Sequence, residues 1–182
     1  MRWFWIDRFE EMVSGKRAVA VKNVALAEEH LHDHFPAFPI MPHSLVVEGM
    51  AQTGGLLVGQ STDFTARVVL AKVSKVTFYS HPRPGDQLKY TAEIQDVRED
   101  GSLVHCTSHK NGELHAELEV VFGHLDHDDT ERELFETGDF YAMLKSLRVF
   151  EVGVYEDGAP IRPPQHMLER ERSQLEAAEA GY

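Results

Sequence analysis

The stretch from Pro39 to Thr62 limits what this chain can fold into more than any other. Apart from His43 and Glu48 it carries no ionisable side chain, and Leu45, Val46, Val47, Met50, Leu56, Leu57 and Val58 read as a buried helix. Ser44 is placed to cap that helix, which runs from Leu45 to about Gln60. Gly49, Gly54, Gly55 and Gly59 lie inside it, although glycine is poor for helix propensity. They make sense where something packs closely against the helix, such as an enclosing sheet. A carboxylate left unpaired in apolar surroundings is costly, so Glu48 is a functional candidate from its position alone.

The flanking sequence supplies the sheet. Leu88 to Arg98 alternates, and Leu103 to Lys110 and Glu113 to Phe122 flank Asn111-Gly112, a strong short hairpin signal. Arg67 to Tyr79 is a long β-rich run that ends before the turn Pro82-Arg83-Pro84-Gly85-Asp86, and Glu99-Asp100-Gly101-Ser102 makes a second turn. Arg17 to Leu26 alternates as a further strand, whereas the three prolines between Glu28 and His43 indicate an irregular loop. Trp3, Phe4, Ile6, Phe9, Met12 and Val13 predict a short amphipathic helix over 3–14, closed by Gly15. One buried helix followed by an antiparallel meander gives an α+β chain whose sheet wraps around the helix.

This body is expected to span residues 1–125. Residues 126–182 form an acidic, partly helical C-terminal extension. It opens on the solvated linker Asp126-His127-Asp128-Asp129. Residues 131–148 follow as a helix with Phe135, Phe140, Met143, Leu144 and Leu147 on its apolar face, then 159–164 are extended and 165–180 are helical. The extension carries 14 acidic and 6 basic residues, which accounts for -8 of the net charge of -12. That balance makes nucleic acid a poor partner. The single Cys106 excludes a disulfide framework and suits a reducing compartment. Asp7 interrupts the N-terminal apolar residues too early for a signal peptide, and Leu45 to Val58 is too short and glycine-rich for a membrane span. A cytoplasmic protein follows.

His34-Phe35-Pro36, Pro39, Met41-Pro42, Leu45 and Glu48-Gly49-Met50-Ala51-Gln52 together resemble the active-site signature of the FabZ-type 3-hydroxyacyl-[acyl-carrier-protein] dehydratases. Ala18 to Val24 resembles that family's first strand, and Pro84-Gly85-Asp86-Gln87-Leu88 the turn into its later strands. The likeness covers roughly residues 5–124 and implies the hotdog fold. It implies His34 as the catalytic histidine and Glu48 as the catalytic carboxylate. The two would meet across the interface of a homodimer, alone or as a trimer of dimers. Eliminating water from a 3-hydroxyacyl thioester needs a base at the α-carbon and an acid at the β-hydroxyl, which are the roles of His34 and Glu48. The backbone N–H of His43, at the helix N-terminus, would serve the developing enolate. Phe35, Met41, Leu45 and Gln52 would line the acyl tunnel. The substrate would be an acyl-carrier-protein or coenzyme A thioester, with no metal and no organic cofactor required.

Where the family usually has glycine after His-Phe-Pro and after Met-Pro, this chain has Ala37 and His43. The backbone donor survives at His43, and the imidazole would narrow or polarise the acyl site. A hotdog thioesterase and a non-catalytic acyl-binding protein are the alternatives. On a strand, His30, His32 and His34 would share a face like metal ligands, but no acid or cysteine is placed to complete a shell. His105, His109 and His115 read as ordinary sheet residues, and Cys106 as core. Arg67, Lys72, Lys75, Arg83 and Lys89 form either a basic patch for an acidic carrier protein or a scattered solvated surface.

Overall fold

The computed structural model describes residues 4–125 and 137–180. A seven-stranded sheet is built from β1 (Arg8–Val13), β2 (Arg17–Asn23), β3 (Arg67–Phe78), β4 (Gln87–Val97), β5 (Gly101–Lys110), β6 (Glu113–Leu125) and β7 (Gly153–Val154). Its order is β3-β6-β5-β4-β2-β1-β7, antiparallel except for the β1–β7 pair. Helix α2 (His43–Gln60) packs across β2 to β6. Helices α1 (His30–Asp33), α3 (Thr137–Ser146), α4 (Val149–Val152) and α5 (Gln165–Ala180) complete the described elements.

The glycines of α2 are there for contact with the sheet. A Cβ on Gly49 would stand 2.6 Å from Tyr90 Cε2 and 2.7 Å from the Trp5 carbonyl oxygen. One on Gly54 would come within 3.2 Å of Phe122 and Val104. So the backbone of α2 lies directly on Tyr90 of β4 and Phe122 of β6, too close at Gly49 for a larger residue without displacement and tight at Gly54. Val46, Met50, Leu57 and Val58 fill the remaining space with Ala92, Val104, Cys106, Leu118 and Val120, all fully or almost fully buried. The Asn111-Gly112 hairpin forms as expected, both residues having positive φ.

The expected meander holds for β4, β5 and β6 alone, because β3 pairs with β6 and not with β4, and three further expectations need correction. The expected helix over 3–14 is instead strand β1, with residues 1–3 outside the described part. A register shift between Phe9 and Glu11 adds a residue to β1 and sends both Phe9 and Met12 into the core. The bulge therefore gives a strand the three-residue apolar spacing of a helix. Second, Ser44 is not the cap of α2. The extended Pro42 occupies that place, and its carbonyl accepts the N–H groups of Leu45 at 3.0 Å and Val46 at 3.3 Å. Third, the loop over Glu28–His43 contains one helical turn, α1. Glu28 anchors it by accepting from the Ala25 N–H at 2.8 Å and pairing with the buried Lys22 at 3.1 Å.

After residue 136, β7 extends the sheet beside β1, and Tyr141, Leu144, Leu147, Val149, Ile161 and Met167 are buried continuously with the core. The linker 126–129 and the first part of the helix expected over 131–148 lie outside the described residues. None of the described helices is long and apolar enough to cross a membrane.

Candidate active site

His34 follows α1 at the start of the proline-rich turn. Its Nδ1 lies 3.1 Å from the Ile40 carbonyl, which can only accept, so Nδ1 carries the proton and donates it. The other ring nitrogen, Nε2, is thereby left as the basic one. Phe35 stacks on the ring at 4.3 Å between centroids. The turn is tied down from both sides, by the Ile40 N–H donating to the His34 carbonyl at 2.9 Å and the Met41 N–H donating to the Pro82 carbonyl at 2.9 Å. The imidazole is thus fixed in orientation and tautomer before any ligand arrives.

Glu48 projects from the second turn of α2 and is half-buried. It is not the unpaired carboxylate that the sequence suggested. Gln52, one turn on, donates from Nε2 to Glu48 Oε1 at 2.9 Å, while its own Oε1 accepts the Trp5 N–H at 2.9 Å. The Trp5 backbone sets which way the amide points, and the amide then orients the carboxylate. Within one chain no hydrogen bond or ion pair joins Glu48 to His34 among the described residues.

His34 opens into a pocket lined by Phe35, Ile40, His43 and His81. This brings together His34, Phe35 and His43 of the candidate residues, while Met41, Leu45, Glu48 and Gln52 are not part of its lining and Met41 is fully buried. As the first residue of α2, His43 has a backbone N–H with no acceptor in its own helix. Its ring stacks on Phe78 at 3.8 Å and 7°, and its Nε2 lies 3.1 Å from His81 Nδ1. Burial, then the neighbouring His81, lower the pKa of His43 from its ordinary value.

His81, Phe78 and His115 are site residues that sequence reasoning missed. His115 is no ordinary sheet residue: a register shift between Ser108 and His109 makes it the extra residue of a bulge in β6, fully buried under His43. Its Nδ1 lies 3.0 Å from Ser108 Oγ, and burial pushes its pKa down to about 4. No sequence signal marks the bulge, and His81 follows a strand whose end the sequence places only approximately.

The remaining candidates resolve simply. His30 and His32 sit on the helical turn α1, not on a shared strand face. Cys106 is fully buried, and burial raises its pKa to about 12, so it is core. The basic residues scatter: Lys89 on β4 pairs with Glu10 at 2.8 Å, Arg83 covers the Phe38 ring at 3.8 Å, and β5 and β6 separate Lys89 from Arg67, Lys72 and Lys75 on β3.

Against known proteins, the sequence pattern of the FabA-like domain matches residues 3–123. The chain belongs to the FabA-like domain family. Among curated members it is 37% identical over 118 residues to the 3-hydroxyacyl-[acyl-carrier-protein] dehydratase FabZ of Geobacillus thermodenitrificans, covering 64% of this chain and 81% of that protein. Two solved structures share the fold at low sequence identity. The dehydratase heterocomplex ApeI:P from Xenorhabdus doucetiae superposes with a TM-score of 0.56 at 13% identity, over 69% of this chain and 85% of the other. A hypothetical thioesterase with coenzyme A from Streptococcus pneumoniae superposes with a TM-score of 0.54 at 13% identity, over 65% of this chain and 84% of the other. The sheet wrapped around α2 is the hotdog fold, as the sequence predicted. The FabA-like segment takes in the His34 turn, α2 and the sheet through Gly123 of β6.

Proposed function

We propose that this FabA-like protein is a hydro-lyase that dehydrates 3-hydroxyacyl thioesters to trans-2-enoyl thioesters in fatty acid biosynthesis. Its relatives' names point to substrates linked to acyl-carrier protein. One observation carries the reading at the level of chemistry. The Ile40 carbonyl claims Nδ1–H of His34, leaving Nε2 as the basic nitrogen of a residue that lines an open pocket. In the proposed reaction Nε2 takes the α-proton, and the C–H electron pair moves towards the thioester carbonyl. The His43 N–H and the N-terminal dipole of α2 stabilise the resulting enolate oxygen. As the enolate collapses, the β-hydroxyl leaves, protonated by Glu48. Water departs, and the proton held on His34 returns to Glu48.

Glu48 is supplied by a second copy in this reading, since it makes no contact with His34 in its own chain. Strand β3 supports a homodimer. Among the described residues it is a 12-residue sheet edge that pairs only with β6 and leaves Leu70, Val73 and Val76 at 39–46% exposure. A long edge with apolar side chains invites another strand. Phe35, Met41, Leu45 and Gln52 would line the acyl tunnel closed by that partner. The reading places the enzyme in the cytoplasm, with residues 1–125 forming the catalytic body and 126–182 its extension.

The test is to supply crotonyl and 3-hydroxybutyryl thioesters and follow enoyl absorbance and free thiol together. Reversible hydration without thiol release is the expected result. Thiol release would instead make the protein a thioesterase.

A further inference from the structure

The pocket that holds His34 has a wall made of two imidazoles. His43 is pressed face-on against Phe78, with centroids 3.8 Å apart and planes 7° from parallel. His81 reaches it from the turn after β3, stacks at 5.0 Å and 15°, and places Nδ1 3.1 Å from His43 Nε2. The ring of His115 lies edge-on beneath both His43 and Phe78, at 6.5 and 5.9 Å. His43 is therefore held on one face by an aromatic ring, from below by a buried one, and at Nε2 by a hydrogen bond with His81. Lys110 in turn fixes the His81 backbone, its Nζ donating to the His81 carbonyl at 3.3 Å.

We infer that His81 is a specificity-determining residue: by clamping His43 across the pocket beside His34, it restricts the acyl group to short chains. The inference rests on the dehydratase reading for the identity of the ligand. A ring held by stacking and a hydrogen bond together cannot swing aside cheaply, because leaving would forfeit both. Each methylene pressed against such a wall then lowers affinity where an open pocket would raise it. A neutral pair suits the role, since one ring donates N–H to the other's lone pair, whereas two imidazolium ions have no acceptor between them. Burial and the adjacent His81 both keep His43 on the neutral side. No carboxylate contacts either ring among the described residues, so nothing there stabilises a doubly charged pair.

Binding of unreactive ligands separates this inference from the reaction itself. Pantetheine 2-enoyl amides with four-carbon and ten-carbon chains would be titrated calorimetrically into the full chain and into His43→Gly, His81→Ala and His81→Asn. The native protein should bind the short amide at least tenfold more tightly. That preference should collapse to within threefold in His43→Gly and His81→Ala, and return in His81→Asn, whose short amide can still hydrogen-bond His43. Equal binding of both chains by the native protein, or an unchanged preference in His43→Gly, would overturn the inference. Loss of the preference in His81→Asn as well as in His81→Ala would overturn the hydrogen-bonded clamp. Absence of crotonyl hydration by the native protein would count against the dehydratase reading alone, because the amides need no turnover.

Discussion

At the scale of single residues, the site depends on which nitrogen or oxygen is already engaged. In the proposed reaction His34 can serve as a base because Ile40 has taken its other nitrogen, and Glu48 is aimed because Gln52 is itself fixed by Trp5. Removing either reacting group should lower kcat by about 10²–10⁴-fold. His34→Ala and Glu48→Gln are expected to do so with unchanged thermal midpoints, both checked by crotonyl hydration and calorimetry. His34 and Glu48 stand out in the sequence as candidates because their motif is compact. His115 does not, because only a bulge turns it inward. It has a measurable signature, since its pKa is depressed from the model-peptide value of 6.5 to about 4. The unfolded chain binds the extra proton first, so the stabilisation is complete above pH 6.5 and is lost as pH falls towards 4. At pH 5 the loss amounts to about 2 kcal/mol. Urea unfolding at pH 7.5 and pH 5 should show it, and His115→Gln should remove that part of the pH dependence. Burial lowers His30 and His43 in the same direction, so a smaller acid sensitivity should remain in the variant.

At the scale of elements, α2 and the strands β3 to β6 follow from local pattern and β1 does not; the expected meander holds for β4, β5 and β6, whereas β3 pairs with β6, a long-range choice that local pattern does not carry. The glycines of α2 announced close packing, and Tyr90, Val104 and Phe122 provide it. Gly49 is the tightest of these contacts, since its new methyl group would meet the Trp5 backbone as well as the Tyr90 ring. Gly49→Ala should cost about 1–3 kcal/mol in denaturant unfolding despite the better helix propensity of alanine. The failure at β1 has a specific origin. Phe9 and Met12 are buried three residues apart, a spacing that a helix produces by its pitch and this strand produces by a bulge, and Ile6, buried just before the strand, prolongs the interval. Periodicity alone cannot separate the two. The end of α2 is another feature without a sequence signal. Asp63 and Phe64 both have positive φ, and the C-terminal segment packs there, with Phe64 against Phe140 and Phe150 and the Tyr155 hydroxyl donating to Asp63 at 3.3 Å.

At the scale of the whole molecule, a helix enclosed by an antiparallel sheet could be read from the residues, but little about what covers the sheet's two ends. At one end β7 and the helices after it bury β1, using apolar residues that are sparse in the sequence yet meet in one place. At the other end β3 is a bare edge among the described residues, and a second copy of the chain is the proposed cover. Sedimentation should therefore report a dimer or a multiple of it. Val73→Lys, which sets like charges facing each other across paired edges, should shift the population towards monomer and lower hydration activity in parallel. Composite sites also make a stricter demand than dimerisation. When His34→Ala and Glu48→Gln chains are co-refolded, one of the two sites in each mixed dimer has both groups intact. Random pairing makes half of the dimers mixed, so roughly a quarter of native activity should return from two inactive proteins. Recovery to that level is the expected result; a mixture as inactive as its components would contradict a dehydratase site shared between His34 of one chain and Glu48 of the other.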